Sequence, residues 1–223
     1  GAQVIISSRS QEACDAVVAE FKKEGLSAIG IACHIGKDDQ RKQLISKTIA
    51  AFGRIDILVN NAATNPVYSP IEEIDPVIFD KIMEINVKAP WALSNLVLPH
   101  LQANKNGSII NIASVEALTP GYGLGVYSTS KAAILMLTKN QAKEWGLYGI
   151  KVNAICPGLI KTKFSAALWQ NEKMLHKLEK SIPSGRMGKP EEIVGLACLL
   201  ASNAGNYMTG GVYTADGGYM IAG

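Results

Sequence analysis

The feature that most limits what this chain can become is its alternation of short β-branched runs with helical periods, repeated from one end to the other. Val4-Ile5-Ile6 ends at Ser7-Ser8-Arg9-Ser10, and a polar periodic stretch then runs to Lys23 and is closed by Gly25. That is strand then helix, with Ser10 as N-cap. Ser27 to Cys33 reads as a second strand, and Asp38 to Phe52, closed by Gly53, as a second helix. Ile55 to Val59 is a third strand that runs into Asn60-Asn61-Ala62-Ala63. A long helix follows from Phe79 to Gln102, interrupted by Pro90, which demands a kink or a restart. Ser108 to Ile112 is a fourth strand, and a helix ending near Trp145 precedes a fifth strand from Lys151 to Ile155, broken by Pro157-Gly158. A helical excursion from Ser165 to Lys180, a capped helix from Pro190 to Ala201 and a last strand from Val212 to Ala215 complete the order. Strict alternation without an internal repeat or a low-complexity linker predicts one α/β domain, a parallel sheet covered by helices on both faces.

Composition narrows the function classes. A chain of 223 residues with 48% hydrophobic and 18% charged residues is long and apolar enough for a sizeable core. The formal net charge of +3 is small, and no basic tract or aromatic-basic interleaving argues for nucleic acid. No apolar run has the length of a membrane span. Cys14, Cys33, Cys156 and Cys198 form no C-x-x-C pair, which points to reduced thiols in a cytoplasmic protein. His34, His100 and His176 are far apart, so no metal site is expected.

In an open parallel sheet, ligands bind beyond the carboxyl ends of the strands. Arg9, Asn60-Asn61, Ser114 and Thr162 all fall at such ends. Tyr127 and Lys131 open the helix after the fourth strand, and their spacing puts them on one face a turn apart. A free phenol has a pKa of about 10. A nearby ammonium favours the phenolate, so the expectation is a phenol tuned downward into a usable acid and base. A Ser-His-Asp hydrolase lacks its G-x-S-x-G turn here and has no suitably placed histidine. Leu168, Trp169, Leu175 and Leu178 read as one apolar helix face, either core or a lid.

With these residues in place the chain resembles the short-chain dehydrogenase/reductase family. The likeness rests on Asn60-Asn61-Ala62, Ile85-Asn86-Val87, Ser114 thirteen residues before Tyr127, Tyr127 with Lys131, Pro157 to Thr162, Gly185 to Glu192, and Thr209 to Gly218. Ser7-Ser8-Arg9, Cys33 to Lys37, Asn65-Pro66 and Gly158 to Thr162 look like the NADPH-dependent carbonyl/retinal reductase branch. The resemblance implies a Rossmann-like doubly wound fold and hydride transfer between NADP(H) and a carbonyl or secondary alcohol. It implies Tyr127 as general acid/base, Lys131 as its partner and ribose ligand, Ser114 as the group positioning the substrate oxygen, and Asn86 holding a water toward Lys131. By the same likeness Ser8, Arg9, Asn60, Ala62, Pro157, Gly158, Ile160 and Thr162, together with Tyr127 and Lys131, line the cofactor. A homotetramer or homodimer built on the two long helices and the last strand is also implied.

One departure stands out. The family opens with a strand and a Thr-Gly-x-x-x-Gly-x-Gly turn that seats a pyrophosphate on a helix N-terminus. Nothing here matches it, and Gly1-Ala2-Gln3-Val4 resembles the entry to the family's second strand. The expectation is a sheet lacking its first strand and helix, with unpaired backbone groups at the gap. A longer natural parent is the favoured reading. The alternative is a truncated, non-catalytic relative that acts as a binding or assembly protein. Cofactor choice rests on Ser8-Arg9-Ser10, which has no acid to accept from a ribose hydroxyl and an arginine able to grip a 2′-phosphate. NADP(H) is therefore expected over NAD(H).

Overall fold

The structure, a computed structural model, describes residues 1–222, the side chain of Met174 excepted. Six strands alternate with helices: β1 (Val4–Ser8), α1 (Gln11–Lys23), β2 (Ala28–Ala32), α2 (Asp38–Phe52), β3 (Ile57–Asn60), α3 (Pro76–Met83), α4 (Ala89–Asn104) and β4 (Gly107–Ile112). Then come α5 (Gly125–Trp145), β5 (Ile150–Pro157), α6 (Ala166–Trp169), α7 (Glu172–Lys180), α8 (Glu191–Ala201) and β6 (Val212–Ala215). Local chemistry sets the boundaries. Ser10 accepts from the Ala13 N–H at the start of α1, and Asp75 accepts from the Val77 N–H ahead of Pro76 in α3. Gly53 ends α2 in the left-handed conformation at φ 72°, which few other residues adopt without strain.

Every ladder is parallel. The strands form a pair, β1-β2, and a quartet, β3-β4-β5-β6. One edge of β1 and one edge of β3 therefore have no ladder partner among the described residues, which is the break expected from the sequence. Helix α2 contacts both β2 and α4 and so links the pair to the quartet. Strands β4 and β5 are buried almost end to end, as in a sheet covered on both faces. One core cluster joins Ile45 and Ile55 to Leu93, Val97 and Leu101 of α4 and to Ile109 and Val152 of the sheet. A second packs Leu200 of α8 on Ile110 and Ile155 from the other face. Along β3 the pattern changes: Ile57 is 41% and Val59 48% exposed.

The interruption near Pro90 has a definite form. Residues Glu84–Lys88 make a π turn between α3 and α4, and the Ala89 N–H reaches back to the Glu84 carbonyl. In an α-helix the Asn86 carbonyl would take the N–H of residue 90, which proline lacks. The wider turn absorbs that loss and places Asn86, 1% exposed, against the helix that carries Tyr127.

Truncating Ile109, fully buried in β4, to alanine should cost about 2–5 kcal/mol in urea unfolding, whereas Ile57→Ala on the open edge should cost less than about 1 kcal/mol. Equal costs would mean that something covers the β3 edge in solution.

Candidate active site

The site forms where β4 ends. Ser114 leaves the strand and caps a 3-10 turn, Val115–Ala117, its Oγ accepting the Glu116 N–H at 3.2 Å. The chain loops through Gly123, at φ 75°, and enters α5 at Gly125. Tyr127 and Lys131 lie one turn apart on the buried side of α5, 9% and 3% exposed. The Lys131 Nζ stands 5.7 Å from the Tyr127 ring centroid and donates to the Ile112 carbonyl at 2.8 Å. The Ser114 hydroxyl is the phenol's side-chain partner. Asn86 completes the group. Its Oδ1 accepts from the Thr64 N–H at 2.8 Å, and its Nδ2 donates to the Thr64 carbonyl and to Ser130 Oγ. Ser130 in turn donates to the Tyr127 carbonyl at 2.7 Å. The four residues named from the sequence for catalysis thus come together, with Asn86 clamping the loop after β3 onto α5.

The electrostatics correct one expectation. Burial pushes the Tyr127 phenol up to about 12; the Ser114 hydroxyl works downward and the Glu116 charge upward. Burial also brings Lys131 down to about 8, with a small opposing effect from Cys156. The amine does not lower the phenol here: removal from water is the largest influence on each group. Near neutrality Tyr127 is a protonated donor.

The positions expected to hold the cofactor divide. Arg9 is exposed where β1 ends and makes no ion pair among the described residues. Ser8 is occupied, its Oγ bonded to the Ser10 backbone and near Cys14 Sγ. Asn60 is buried in an amide chain: Nδ2 donates to Asn111 Oδ1 at 2.8 Å, and Asn111 passes the chain to Thr138. Its own Oδ1 is buried without a partner, an acceptor aimed at a donor the described residues do not supply. Ala62 is exposed just beyond it, and Pro157, Gly158, Ile160 and Thr162 are half-buried in the segment after β5. Ile160 bridges to Gly188, while the Thr162 N–H and hydroxyl are taken by Ser165. This donor set fits a nicotinamide nucleotide: Lys131 keeps two N–H donors beyond the Ile112 bond, and Arg9 has a free guanidinium.

Two residues that no motif spacing singles out also stand at the site. Phe164 sets its ring 6.1 Å from that of Tyr127, tilted by 37°. Glu116 accepts from the Gly121 N–H and from Ser128 Oγ. Both stand two residues from a landmark, Thr162 or Ser114, but neither belongs to a spacing pattern. The single apolar helix face expected in the excursion is instead split between two helices, Leu168 and Trp169 on α6 and Leu175 and Leu178 on α7; all four are half-buried, and the Trp169 indole N–H donates to the Thr162 carbonyl. Among the described residues no three His, Cys, Asp or Glu side chains group as metal ligands, and no helix is long and apolar enough to cross a membrane.

A parallel α/β sheet with a Ser-Tyr-Lys group at its carboxyl edge defines a nucleotide-linked oxidoreductase. Residues 1–220 match the family model described as enoyl-(acyl carrier protein) reductase. The chain is 41% identical to rabbit (Oryctolagus cuniculus) dehydrogenase/reductase SDR family member 4, over 98% of this chain and 84% of that protein. It is 38% identical to the human protein of that name, over 98% of this chain and 78% of the other. Among solved structures it is similar to a gluconate 5-dehydrogenase from Burkholderia cenocepacia in complex with NADP and tartrate. That likeness has a TM-score of 0.95 and 31% identity over all of this chain and 87% of the other. A putative NAD(P)-dependent gluconate 5-dehydrogenase from Beutenbergia cavernae, with NADP bound at low occupancy, gives 0.92 and 32% over 99% of this chain and 88% of that one. The chain belongs to the short-chain dehydrogenase/reductase family, and it is an oxidoreductase.

The low Lys131 value has a measurable sign. Folding holds the lysine at about 8, against about 10.4 in the unfolded chain. Between those values the unfolded state binds more protons, so the Lys131 contribution to stability rises with pH. Lys131→Met should raise the unfolding free energy at pH 7 by of the order of 1–3 kcal/mol, read from urea unfolding, and flatten the rise expected above about pH 8. An unchanged midpoint with an unchanged pH dependence would contradict the assignment.

Proposed function

We propose that the protein transfers a hydride between NADP(H) and a carbonyl or secondary alcohol, with Tyr127 as the proton donor and acceptor. The observation that carries this reading is the meeting of a buried, protonated phenol with Ser114 and Lys131 at one sheet edge. A bound nicotinamide supplies the two-electron reductant. The chain's own residues do the rest. Ser114 Oγ orients the substrate oxygen toward the phenol. Tyr127 gives its proton to that oxygen as negative charge develops there, a charge its high pKa would not let it meet in the ground state. Lys131 holds a ribose hydroxyl with its spare donors and adds positive charge near the forming phenolate. Asn86 keeps the loop after β3 and helix α5 in register, and its carbonyl, facing a proline at the helical partner position, suits a water on the way to Lys131. In the oxidation direction the same groups run in reverse.

The cofactor line is proposed to run from Arg9, on the 2′-phosphate, past Ser8, Asn60 and Ala62 to the Pro157, Gly158, Ile160 and Thr162 segment. NADP in the gluconate 5-dehydrogenase structures, at 31% and 32% identity, supports that choice. The open edges of β1 and β3 suit one further strand between them, and residues 1–223 read as belonging to a single domain. The exposed Trp91, Val77, Phe79 and Met136 on α3, α4 and α5 suit a homodimer or homotetramer. The free thiols suit a reducing, cytoplasmic setting.

Tyr127→Phe should lower ketone reduction by about 10²–10⁴-fold, read as loss of the reduced-nicotinamide absorbance, with the urea midpoint held or raised. Substantial residual activity would remove Tyr127 from the mechanism. Arg9→Glu should weaken NADPH by about tenfold or more while leaving NADH within about threefold, measured by fluorescence titration. Equal losses for both cofactors would take Arg9 off the 2′-phosphate.

A further inference from the structure

Among the described residues Glu116 is the carboxylate whose charge acts on the Tyr127 phenol, and the reaction as described leaves it without a task. Its side chain is fixed. The Oε2 accepts the Gly121 N–H at 2.6 Å and the Ser128 hydroxyl at 3.0 Å. Its backbone N–H donates to Ser114 Oγ, the hydroxyl that partners the phenol. Glu116 therefore connects three pieces of the site: the Ser114 turn, the loop at Gly121 and the first turn of α5. The fit is close, since a Cβ at Gly121 would stand 3.0 Å from both carboxylate oxygens. The other titratable or charged groups around the phenol are Lys131 on α5 and Cys156 at the end of β5, the latter acting on Lys131.

A carboxylate held in place beside a partly desolvated site acts at a distance on whatever binds there. At an effective dielectric of about 20, two like charges about 10 Å apart repel by roughly the energy of a tenfold change in binding. Around the reacting atoms Ser114, Tyr127 and the Phe164 ring are uncharged, Lys131 is the cation and Glu116 the carboxylate. We propose that Glu116 is a positioning and specificity-determining residue: its carboxylate ties the Gly121 loop to α5 and sets a fixed negative charge beside the reacting phenol, so that the site selects uncharged carbonyl substrates over carboxylate-bearing ones. This rests on the reductase reading above and deepens it by naming a substrate class.

Two variants separate the tasks. Glu116→Gln keeps an oxygen for the Gly121 and Ser128 donors and removes the charge; Glu116→Ala removes both. The substrates are a matched pair with one ketone, methyl benzoylformate and benzoylformate, reduced with NADPH. The wild type should favour the ester, and Glu116→Gln should narrow the ester-to-acid ratio of kcat/KM by about tenfold, through gain on the acid. Glu116→Ala should raise KM for both. An unchanged ratio in Glu116→Gln overturns charge selection. The second readout needs no turnover. With ¹³C at tyrosine Cζ, and Tyr127→Phe to assign the signal, the Tyr127 titration midpoint should fall in Glu116→Gln. A midpoint equal to wild type overturns the proposal. If the wild type reduces neither ketone, the reductase reading has failed, and the titration still decides the role of Glu116.

Discussion

The site depends on removing an amine and a phenol from water at the same place. Among the described residues Lys131 has a single hydrogen-bond acceptor, the Ile112 carbonyl, at the edge of the most buried strand pair. A buried ammonium with so little compensation is costly, and the fold bears that cost at one position. The geometry that results could not be had at the surface. The amine stands against the phenol ring, the phenol stands against Ser114, and water is largely shut out of the contact. Desolvation sets both pKa shifts, and its direction says what each group is before the reaction begins: a neutral, proton-holding Tyr127 and a lysine close to losing its charge.

The surrounding architecture serves that contact. Strands β4 and β5, buried on both faces, give α5 a rigid floor. The π turn ahead of Pro90 brings Asn86 to Ser130, and Ser130 holds the Tyr127 carbonyl. The buried run from Asn60 through Asn111 to Thr138 ties the carboxyl ends of β3 and β4 to the same helix. These links are polar, directional and buried, so they fix position where apolar packing alone would leave some play. The broken sheet lies on the far side of β3, and the quartet that carries the Ser-Tyr-Lys group is continuous without it.

How much of this the sequence could disclose follows from the range of the forces involved. Period and capping are local, so α2 falls at Asp38–Phe52 and β6 at Val212–Ala215, as read from the residues. The break between β1 and β3 was legible because the order of motifs resembles that of the family, whose sheet sets its glycine-rich strand at that place. At Pro90 the kind of event was foreseen but not its place: the adjustment sits before the proline, where the carbonyl that loses its donor lies. The excursion after Thr162 reads as one helix but forms two, α6 and α7. The phenol's pKa went the other way from expectation because sequence spacing reports which groups are neighbours and is silent about how much water they keep. Spacing likewise does not single out Glu116 or Phe164, since loop closure and ring stacking bring them to Tyr127.

The central claim is that a proton from Tyr127 and a hydride from the nicotinamide reach one carbonyl group together. Deuterium isotope effects on kcat/KM test it most directly, measured with the transferring hydrogen of NADPH labelled, with the solvent labelled, and with both. The account predicts that each label alone slows the reaction and that the hydride effect persists in heavy water. A hydride effect with no solvent effect, at a pH where Tyr127 is protonated, would contradict it.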